Sequence, residues 1–283
     1  MGPHHLDTLF SPRSIAVFGA SEKPDSIGTR VFQNLIQAGF KGELYPVNPG
    51  HKSVQGHPCF KRIGDVEQPV DLAVITSPAK TVPGIIRECG EQGVRAAVIL
   101  TGGFRETGPA GARMEQTILE TAQHYNLRLV GPNCLGLMRP SVGLDATFLE
   151  TPAPAGGLAL VSQSGALCTA ILDWAKPHQL GFSTVVSLGN ASDIDFGDVL
   201  DYLASDYRTS AILLYIEGIH DSRAFMSGLR TAARAKPVIV LKVGRHAKGS
   251  QAASTHTGAM IGSDDVFDAA LERAGLVGAT PLC

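Results

Sequence analysis

Short apolar runs alternate with amphipathic stretches over about the first 130 residues of the chain. Between the runs, apolar positions such as Val82, Ile85 and Ile86 recur on one face at helical spacing. Strand, helix and strand repeated in this way predict a doubly wound parallel sheet. The predicted strands are 14–18, 43–47, 72–75, 96–100 and 128–130, and the predicted helices lie near 27–38, 80–92 and 111–125.

A stretch rich in proline and glycine interrupts this alternation at residues 140–157. It includes Pro140 and Gly143 and has no helical period, which predicts a linker. We therefore expect a Rossmann-like α/β domain at 1–139 and a second α/β domain at 158–283. In the second domain the predicted strands are 158–162, 183–188, 210–215 and 237–242, and the predicted helices lie near 165–176, 197–204, 221–235 and 264–274.

Bulk composition supports two α/β domains and excludes several functions. The 283 residues suit two cores, and 44% hydrophobic residues with 32 glycines suit buried parallel strands joined by tight turns. A net charge of −2 without a basic cluster argues against a nucleic-acid partner. The five cysteines form no C-x-x-C pair, so we expect free thiols and no metal site. Without a signal peptide or a long apolar run, we expect a cytoplasmic protein that does not contact a membrane.

The turn after the first predicted strand is a candidate phosphate site. Gly19, Ala20 and Ser21 follow the strand directly, and Gly28 lies where the next helix begins. Backbone N–H groups converge at such a turn, and the helix dipole is positive there, which favours an anion. The alternative is that these glycines only form a tight turn between strand and helix.

The sequence around this turn excludes NAD and leaves two nucleotides open. The NAD fingerprint requires G-x-G-x-x-G and an acidic residue about 20 positions later, and the chain has neither. After the second strand it has Val47, Asn48 and then Lys52, and a basic residue there suits an extra phosphate on the ribose. NADP and coenzyme A both carry such a phosphate. Alternatively, Lys52 is a solvated surface lysine.

Three more loops follow predicted strands, where ligands bind in open α/β sheets. One contains Pro78, and a second contains Gly102 and Gly103. The third contains Asn133, whose amide can both donate to and accept from an amide-rich arm such as pantetheine. The alternative is that this third loop is only a rigid turn.

The second domain has its own candidate chemistry. Ser162, Ser164 and Gly165 lie where a strand becomes a helix, which is a second phosphate-binding geometry, although a serine there can simply cap the helix. His256 lies among small residues that leave its ring accessible. An imidazole can attack phosphorus when an acceptor orients its other nitrogen, and Glu217, at the end of an apolar strand, is the candidate acceptor.

Together these segments resemble the NDP-forming acyl-CoA synthetases, a family that includes the α subunit of succinyl-CoA synthetase. The matching segments are 15–21, 46–49, 131–134, 162–165, Glu217 and 255–259. The resemblance implies a Rossmann-like coenzyme A-binding domain followed by a flavodoxin-like ligase-CoA domain. It also implies a reaction in which acid, coenzyme A and ATP give acyl-CoA, ADP and phosphate through an acyl phosphate and a phosphohistidine.

The resemblance also implies roles for individual residues. His256 matches the phosphorylated histidine, Glu217 the glutamate that holds its ring, and the serines before Gly165 the phosphate cradle. An ATP-grasp subunit or domain would handle ATP and its Mg²⁺, a small carboxylic acid would be the substrate, and a homo-oligomer stays open. The candidate coenzyme A site consists of Gly19, Ala20, Ser21, Gly28, Val47, Asn48, Lys52, Pro78 and Asn133.

The chain departs from the family pattern in two respects. Gly50 stands where relatives commonly have a lysine, with Lys52 two places later, and the 283 residues include no ATP-grasp module. Segments 171–174, 193–195, 201–204 and 211–215 further resemble bacterial lysine acetyltransferases that contain a synthetase-like region. The alternative function is therefore an acyl-CoA-sensing regulatory module in which the histidine is idle. A third hypothesis is an NADP-dependent oxidoreductase.

Overall fold

The structure, a computed structural model, describes residues 6–242 and Leu271. Its first half is built on a five-stranded parallel sheet in the order β2-β1-β5-β6-β7, with a separate two-stranded hairpin, β3-β4. The strands are β1 (Ser14–Phe18), β2 (Glu43–Val47), β3 (Ser53–Val54), β4 (His57–Pro58), β5 (Leu72–Ile75), β6 (Ala96–Ile99) and β7 (Arg128–Val130), and the helices are α1 (Leu6–Phe10), α2 (Ile27–Gln37), α3 (Val82–Glu91) and α4 (Pro109–His124).

Burial explains why these strands were recognisable as apolar runs. Every residue of β1, β5 and β6 is buried, as expected for parallel strands that are covered on both faces by helices. All five predicted strands of this sheet are present. The helix predicted from residue 111 begins two residues earlier, at Pro109. Proline is tolerated at the first position of a helix because the N–H that it lacks has no hydrogen-bond partner within the helix there.

The second half is built on a six-stranded mixed sheet in the order β13-β12-β10-β11-β8-β9. Strands β10 to β13 are parallel, whereas β8 pairs antiparallel with both β11 and β9. The strands are β8 (Gly136–Arg139), β9 (Leu144–Thr147), β10 (Ala155–Ser162), β11 (Phe182–Ser187), β12 (Ala211–Ile216) and β13 (Val238–Lys242), and the helices are α5 (Gly165–Ala175), α6 (Phe196–Ser205) and α7 (Ser222–Ala235).

The stretch 140–157 is more than a linker. Gly143, at φ +70°, closes the tight turn between β8 and β9, and both strands pair within the second sheet. The proline and glycine content thus marks a hairpin turn, which the sequence did not distinguish from a linker. The domain boundaries stay a prediction. The helix predicted at 264–274 lies outside the described residues except for Leu271, which is helical and buried.

The two sheets share a continuous apolar core. A single cluster of buried side chains includes Val17 and Leu35 from the first half and Val161 and Val186 from the second. Polar contacts reinforce it: the buried amide of Asn34, on α2, donates to the carbonyl oxygens of Thr147 (2.9 Å) and Leu149 (2.8 Å). The packing therefore gives the two halves a defined relative position.

Asp145 in β9 is a buried carboxyl whose ionisation opposes folding. Its Oδ1 accepts from the N–H (3.2 Å) and hydroxyl (2.7 Å) of Thr147. Burial raises the pKa of Asp145 from 3.8 to about 6, although these hydrogen bonds act in the other direction. Between about pH 4 and 6 the unfolded chain loses this proton first, so the free energy of unfolding falls as pH rises, by up to about 3 kcal/mol.

We expect Asp145→Asn to raise the free energy of unfolding at pH 8 by about 1–3 kcal/mol, because the amide oxygen keeps both hydrogen bonds without a buried charge. Urea unfolding at pH values from 4 to 8 measures this. The variant is also expected to lose this group's contribution to the fall between pH 4 and 6. Asp173→Asn, on an exposed position of α5, is the matched control. A less stable Asp145→Asn chain at pH 8 would contradict the interpretation.

Candidate functional site

Five loops of the first sheet meet at one edge, because its strands are all parallel. The loop after β1 contains Gly19, the loop after β2 contains Asn48, and the loop after β5 contains Pro78. Loops after β6 and β7 contribute Gly102 and Asn133. The structure therefore brings the predicted coenzyme A residues together at the carboxyl edge, where ligands bind in such folds.

The turn after β1 is shaped by two glycines. Gly19 adopts φ +85°, a conformation that favours glycine, and its N–H donates to Val47 O (3.0 Å) on the neighbouring strand. A Cβ on Gly28 would lie only 1.9 Å from Gly19 O, so the first turn of α2 packs directly against this loop. Ser26 caps the helix by accepting from Thr29 N at 3.1 Å. The positive end of α2 is thus held against the turn.

The loops after β1 and β2 are linked by side chains. Asn48 Nδ2 donates to Ala20 O (2.8 Å), and Asn48 Oδ1 accepts from Gly50 N (2.9 Å). The Ser21 hydroxyl, which is buried, lies 3.3 Å from His51 Nε2. Sequence reasoning did not assign His51 a role, although it stands in the segment that was singled out for its lysine.

Lys52 lies exposed on the loop after β2. Its backbone carbonyl accepts from Cys59 N at 3.0 Å, which ties the loop to the segment after β4. Within the described part of the chain, no contact of its ammonium group is seen. That Lys52 binds the ribose phosphate stays a prediction.

Hydrogen bonds also fix the loops that follow β5, β6 and β7. Thr76 Oγ1 donates to Phe18 O (2.8 Å), and Thr101 Oγ1 donates to Ser77 O (2.7 Å), next to the exposed Pro78. Asn133, at φ +57°, donates its N–H to Thr101 O (2.9 Å). The Asn133 side chain is exposed, so its amide is accessible to a ligand.

The loops after β1, β5, β6 and β7 lie in a row at this edge, and we call this row the candidate nucleotide groove. A Cβ on Gly19 would lie 2.7 Å from Thr76 Oγ1, and a Cβ on Gly102 would lie 3.0 Å from Asn133 Oδ1, so both glycines are in close contact with the neighbouring loop. The groove runs from the turn after β1, past the loops after β5 and β6, to the loop after β7. Its far end faces the second sheet.

In the second sheet, β10 and β12 are neighbours, so the loops after them also meet. Ser162 is fully buried; its hydroxyl donates to Ser164 O (2.9 Å) and accepts from Ser164 N (3.0 Å). The Ser164 hydroxyl accepts from Leu167 N (3.4 Å) and caps α5, which begins at Gly165. The predicted phosphate loop is therefore a helix N-terminus, which the Ser164 side chain caps while the Ser162 hydroxyl holds the backbone of Ser164.

Gln163 is a site residue that sequence reasoning missed. Its Oε1 accepts from the N–H groups of Glu217 (2.7 Å) and Gly218 (3.0 Å), and its Nε2 donates to Gly218 O (2.8 Å). The buried amide thereby fixes the loop that presents Glu217 to the phosphate loop. The only sequence signal was a polar residue between two serines at a strand end, and its partner lies 54 positions away.

Burial and the charge of Glu217 both raise the pKa of Tyr215, which lies two positions before the glutamate. His256, whose ring Glu217 is predicted to orient, lies outside the described residues.

Two cysteines near the loops are not nucleophiles. Burial raises the pKa of Cys134 and of Cys168 to about 12, so both stay protonated at neutral pH.

Among the described residues, no group of three or more histidine, cysteine or acidic side chains is arranged to hold a metal. We predicted that Mg²⁺ is bound with the nucleotide by an ATP-grasp partner and not by this chain, and this stays a prediction. No helix in the described ranges is long and apolar enough to span a bilayer.

The two edges approach each other at the segment after β11. Asn190 N donates to Pro132 O (2.9 Å), and Ser192 N donates to Gly131 O (3.1 Å), so this segment lies against the loop that carries Asn133. The candidate nucleotide groove and the candidate phosphate loop therefore belong to one continuous surface.

Comparison with known proteins bears on both halves. A coenzyme A-binding domain model matches residues 13–140, and a succinyl-CoA ligase-like flavodoxin domain model matches residues 155–282. The α subunit 1 of ADP-forming succinate–CoA ligase from Archaeoglobus fulgidus is 30% identical over 243 residues, which cover 80% of this chain and 78% of that subunit. The chain belongs to the NDP-forming acyl-CoA synthetase family.

Two other members of this synthetase family are more similar in sequence. The α subunit of ADP-forming acetate–CoA ligase I from Pyrococcus furiosus is 43% identical, and the match covers 96% of this chain and 60% of that subunit. Dinucleotide-forming acetyl-coenzyme A synthetase 1 from Ca. Korarchaeum cryptofilum, solved with phosphate and ADP, is 38% identical with a TM-score of 0.92, covering 96% of this chain and 59% of that one. The predicted family and fold class are thus confirmed.

The acetate–CoA ligases in this family are longer than the chain. The chain spans between 38% and 60% of their length. It corresponds to the portion that contains the coenzyme A-binding domain and the ligase-CoA domain.

Proposed function

We propose that this chain is the coenzyme A-binding, α-type portion of an ADP-forming acyl-CoA synthetase in the cytoplasm. The overall reaction is acid, coenzyme A and ATP giving acyl-CoA, ADP and phosphate. An ATP-grasp subunit or domain is the partner that handles ATP with Mg²⁺, and a small carboxylic acid is the substrate. The relatives that act on acetate and succinate support this class of acid.

The observation that carries the proposal is the continuous surface formed by the two carboxyl edges. One edge holds a glycine-shaped turn at a helix N-terminus and an accessible amide at Asn133, and the other holds the start of α5 and Glu217. Such a surface suits a ligand whose nucleotide end and reactive end are far apart. Bound coenzyme A would supply the thiol that attacks an acyl phosphate.

The chain's own residues would provide binding and charge stabilisation. The turn at Gly19 and the start of α2 would bind the nucleotide phosphates, and the side chains of Asn48 and Asn133 would orient the remainder. The helix that begins at Gly165 would stabilise the phosphate with its N–H groups and dipole. Glu217 would accept a hydrogen bond from the imidazole of His256, so that the other ring nitrogen can attack phosphorus.

Phosphate labelling of His256 tests the proposal. The full chain is incubated with an ATP-grasp partner and γ-labelled ATP, or with labelled acetyl phosphate, and is then analysed for acid-labile label. We expect label on the parent chain and none on His256→Asn, because the amide cannot accept the phosphoryl group. His178→Asn, at an exposed position after α5, is the control and should be labelled normally. Equal labelling of His256→Asn and the parent would refute the mechanism.

The regulatory alternative predicts a different pair of results. A module that only senses acyl-CoA would bind coenzyme A in calorimetry but would never acquire the label. Coenzyme A binding alone therefore cannot separate the two functions, whereas labelling can. An NADP-dependent enzyme would instead bind NADPH in preference to coenzyme A.

A further inference from the structure

Arg105 connects the two halves of the molecule at the point where the candidate sites meet. It follows the loop after β6, and its Nε donates to Glu115 Oε1 on α4 at 2.5 Å. Its Nη2 donates to Asn190 O (3.0 Å) and Ser192 Oγ (2.9 Å), and its Nη1 lies 3.2 Å from His220 Nε2. One guanidinium therefore contacts helix α4, the segment after β11 and the loop after β12.

The direction of this guanidinium is fixed by a buried carboxylate. Glu115 is only 3% exposed. Its Oε2 accepts from Arg105 N (3.0 Å) and from Asn190 Nδ2 (3.0 Å), and its Oε1 accepts from the Ser192 hydroxyl as well as from the guanidinium. A charged group with several directed hydrogen bonds holds its partner in one geometry, which a surface ion pair does not.

His220 links this guanidinium to the loop of Glu217. It lies three residues after the glutamate, in the loop that Gln163 ties to the phosphate loop. A guanidinium can only donate, so Nε2 must accept and the ring must be neutral, with its proton on Nδ1. That nitrogen faces the carboxylate of Asp195, the N-cap of α6, at 3.9 Å.

Burial is the main reason why the ring of His220 is neutral. Burial lowers the pKa of His220, the Asp195 carboxylate raises it, Arg105 lowers it, and Glu115 raises it. Asp198, the next acidic group on α6, acts on Asp195 and not directly on the ring. The net direction is downward, so the accepting form of the ring is the one present at neutral pH.

We propose that His220 is a positioning residue that, through Arg105, sets the distance between the coenzyme A groove and the phosphate loop. This inference rests on the proposed function. The step that needs both sites is acyl transfer, in which the thiol forms a C–S bond, the C–O bond of the acyl phosphate breaks, and phosphate leaves with the thiol proton. Binding of coenzyme A and phosphorylation of His256 each need one site only. A small displacement between the sites would therefore slow acyl transfer without changing coenzyme A binding or phosphorylation of His256.

The test compares His220→Ala with His220→Gln in the full chain. Glutamine places an amide oxygen near the position of Nε2 and can accept from Arg105, whereas alanine cannot. We expect His220→Ala to form acetyl-CoA from acetyl phosphate and coenzyme A about tenfold more slowly than the parent. For His220→Ala, the calorimetric Kd for coenzyme A and the amount of label taken from acetyl phosphate should stay within about twofold of the parent values. His220→Gln should recover most of the rate.

The pH dependence separates positioning from a general structural effect. In the parent, acid protonates His220 and breaks its acceptor contact with Arg105, so acetyl-CoA formation should fall at low pH. His220→Gln should lack this component of the profile. His124→Ala, whose ring packs on Tyr125 at the opposite edge of the first sheet, is the control.

Three results would overturn the inference. They are an unchanged rate in His220→Ala, a loss of coenzyme A affinity or labelling as large as the loss of rate, and failure of His220→Gln to recover the rate. A parent chain that forms no acetyl-CoA and acquires no label is a different outcome. It overturns the proposed function, and this inference with it.

Discussion

Gly28→Ala is expected to lower the free energy of unfolding by about 3 kcal/mol and to weaken coenzyme A binding at least about tenfold. The added methyl group would lie 1.9 Å from Gly19 O and 2.9 Å from Thr76 Oγ1. The nearest obstacle is a backbone carbonyl in a turn that is itself fixed by hydrogen bonds to its neighbours, so α2 has to move away. That movement separates the helix N-terminus from the turn, which removes the proposed phosphate site.

Gly84→Ala is the matched control for this substitution. Gly84 also lies in the first turn of a helix that follows a strand of the same sheet. Among the described residues, no atom outside its chain neighbours and its own helix backbone lies within 4 Å of the Cβ it would gain. Alanine there is expected to be neutral or stabilising by up to about 1 kcal/mol, because it favours the helix. Urea unfolding gives the stability, and calorimetry at a temperature where both variants are folded gives the Kd.

The two measurements on Gly28→Ala test different statements. Unchanged stability would show that the close contact between α2 and the turn relaxes without cost. Reduced stability with unchanged coenzyme A affinity would show that the nucleotide does not bind at this turn. Only the combined loss supports the turn as the anchor of the nucleotide.

Six parallel strands were predictable because each is an apolar run followed by a helix of ordinary length; they are β1, β5, β6, β10, β11 and β12. Strands β8 and β9 were not, because they are joined by a tight turn instead of a helix. Helix α1 was missed because its five residues are too few to show a period. The sequence pattern therefore predicts strands that are connected through helices, but it does not predict the hairpin formed by β8 and β9.

The candidate site shows the same division. Residues directly after strands, such as Gly19 and Glu217, could be placed from sequence because each follows a parallel strand and therefore lies at the carboxyl edge of its own sheet. Gln163, Arg105 and His220 could not, because their roles depend on partners that are far away in sequence. The contact between Arg105 and His220 spans 115 positions, and no local pattern indicates it.

Arg139 is a further residue whose role depends on distant partners, and it lies in an otherwise apolar strand. Its side chain is 1% exposed, and its Nη2 lies 2.6 Å from Asp206 Oδ1, whose side chain is 3% exposed. Its Nη1 donates to Phe10 O (3.3 Å), Ser11 Oγ (3.2 Å) and the Tyr202 hydroxyl. The guanidinium thus joins α1, β8 and α6 in the interior.

Asp206→Ala is expected to lower the free energy of unfolding by about 3–5 kcal/mol, because it leaves the Arg139 charge buried without its counter-ion. Arg139→Met should cost a similar amount. The double variant should cost clearly less than the two single losses together, with a coupling of about 2–3 kcal/mol, because it leaves no unpaired charge. Asp65→Ala removes the exposed pair of Arg62 and Asp65, where the side chains are 68% and 40% exposed, and should change stability by less than about 1 kcal/mol. Additive losses in the double variant would show that the buried pair holds α1 and α6 through packing alone.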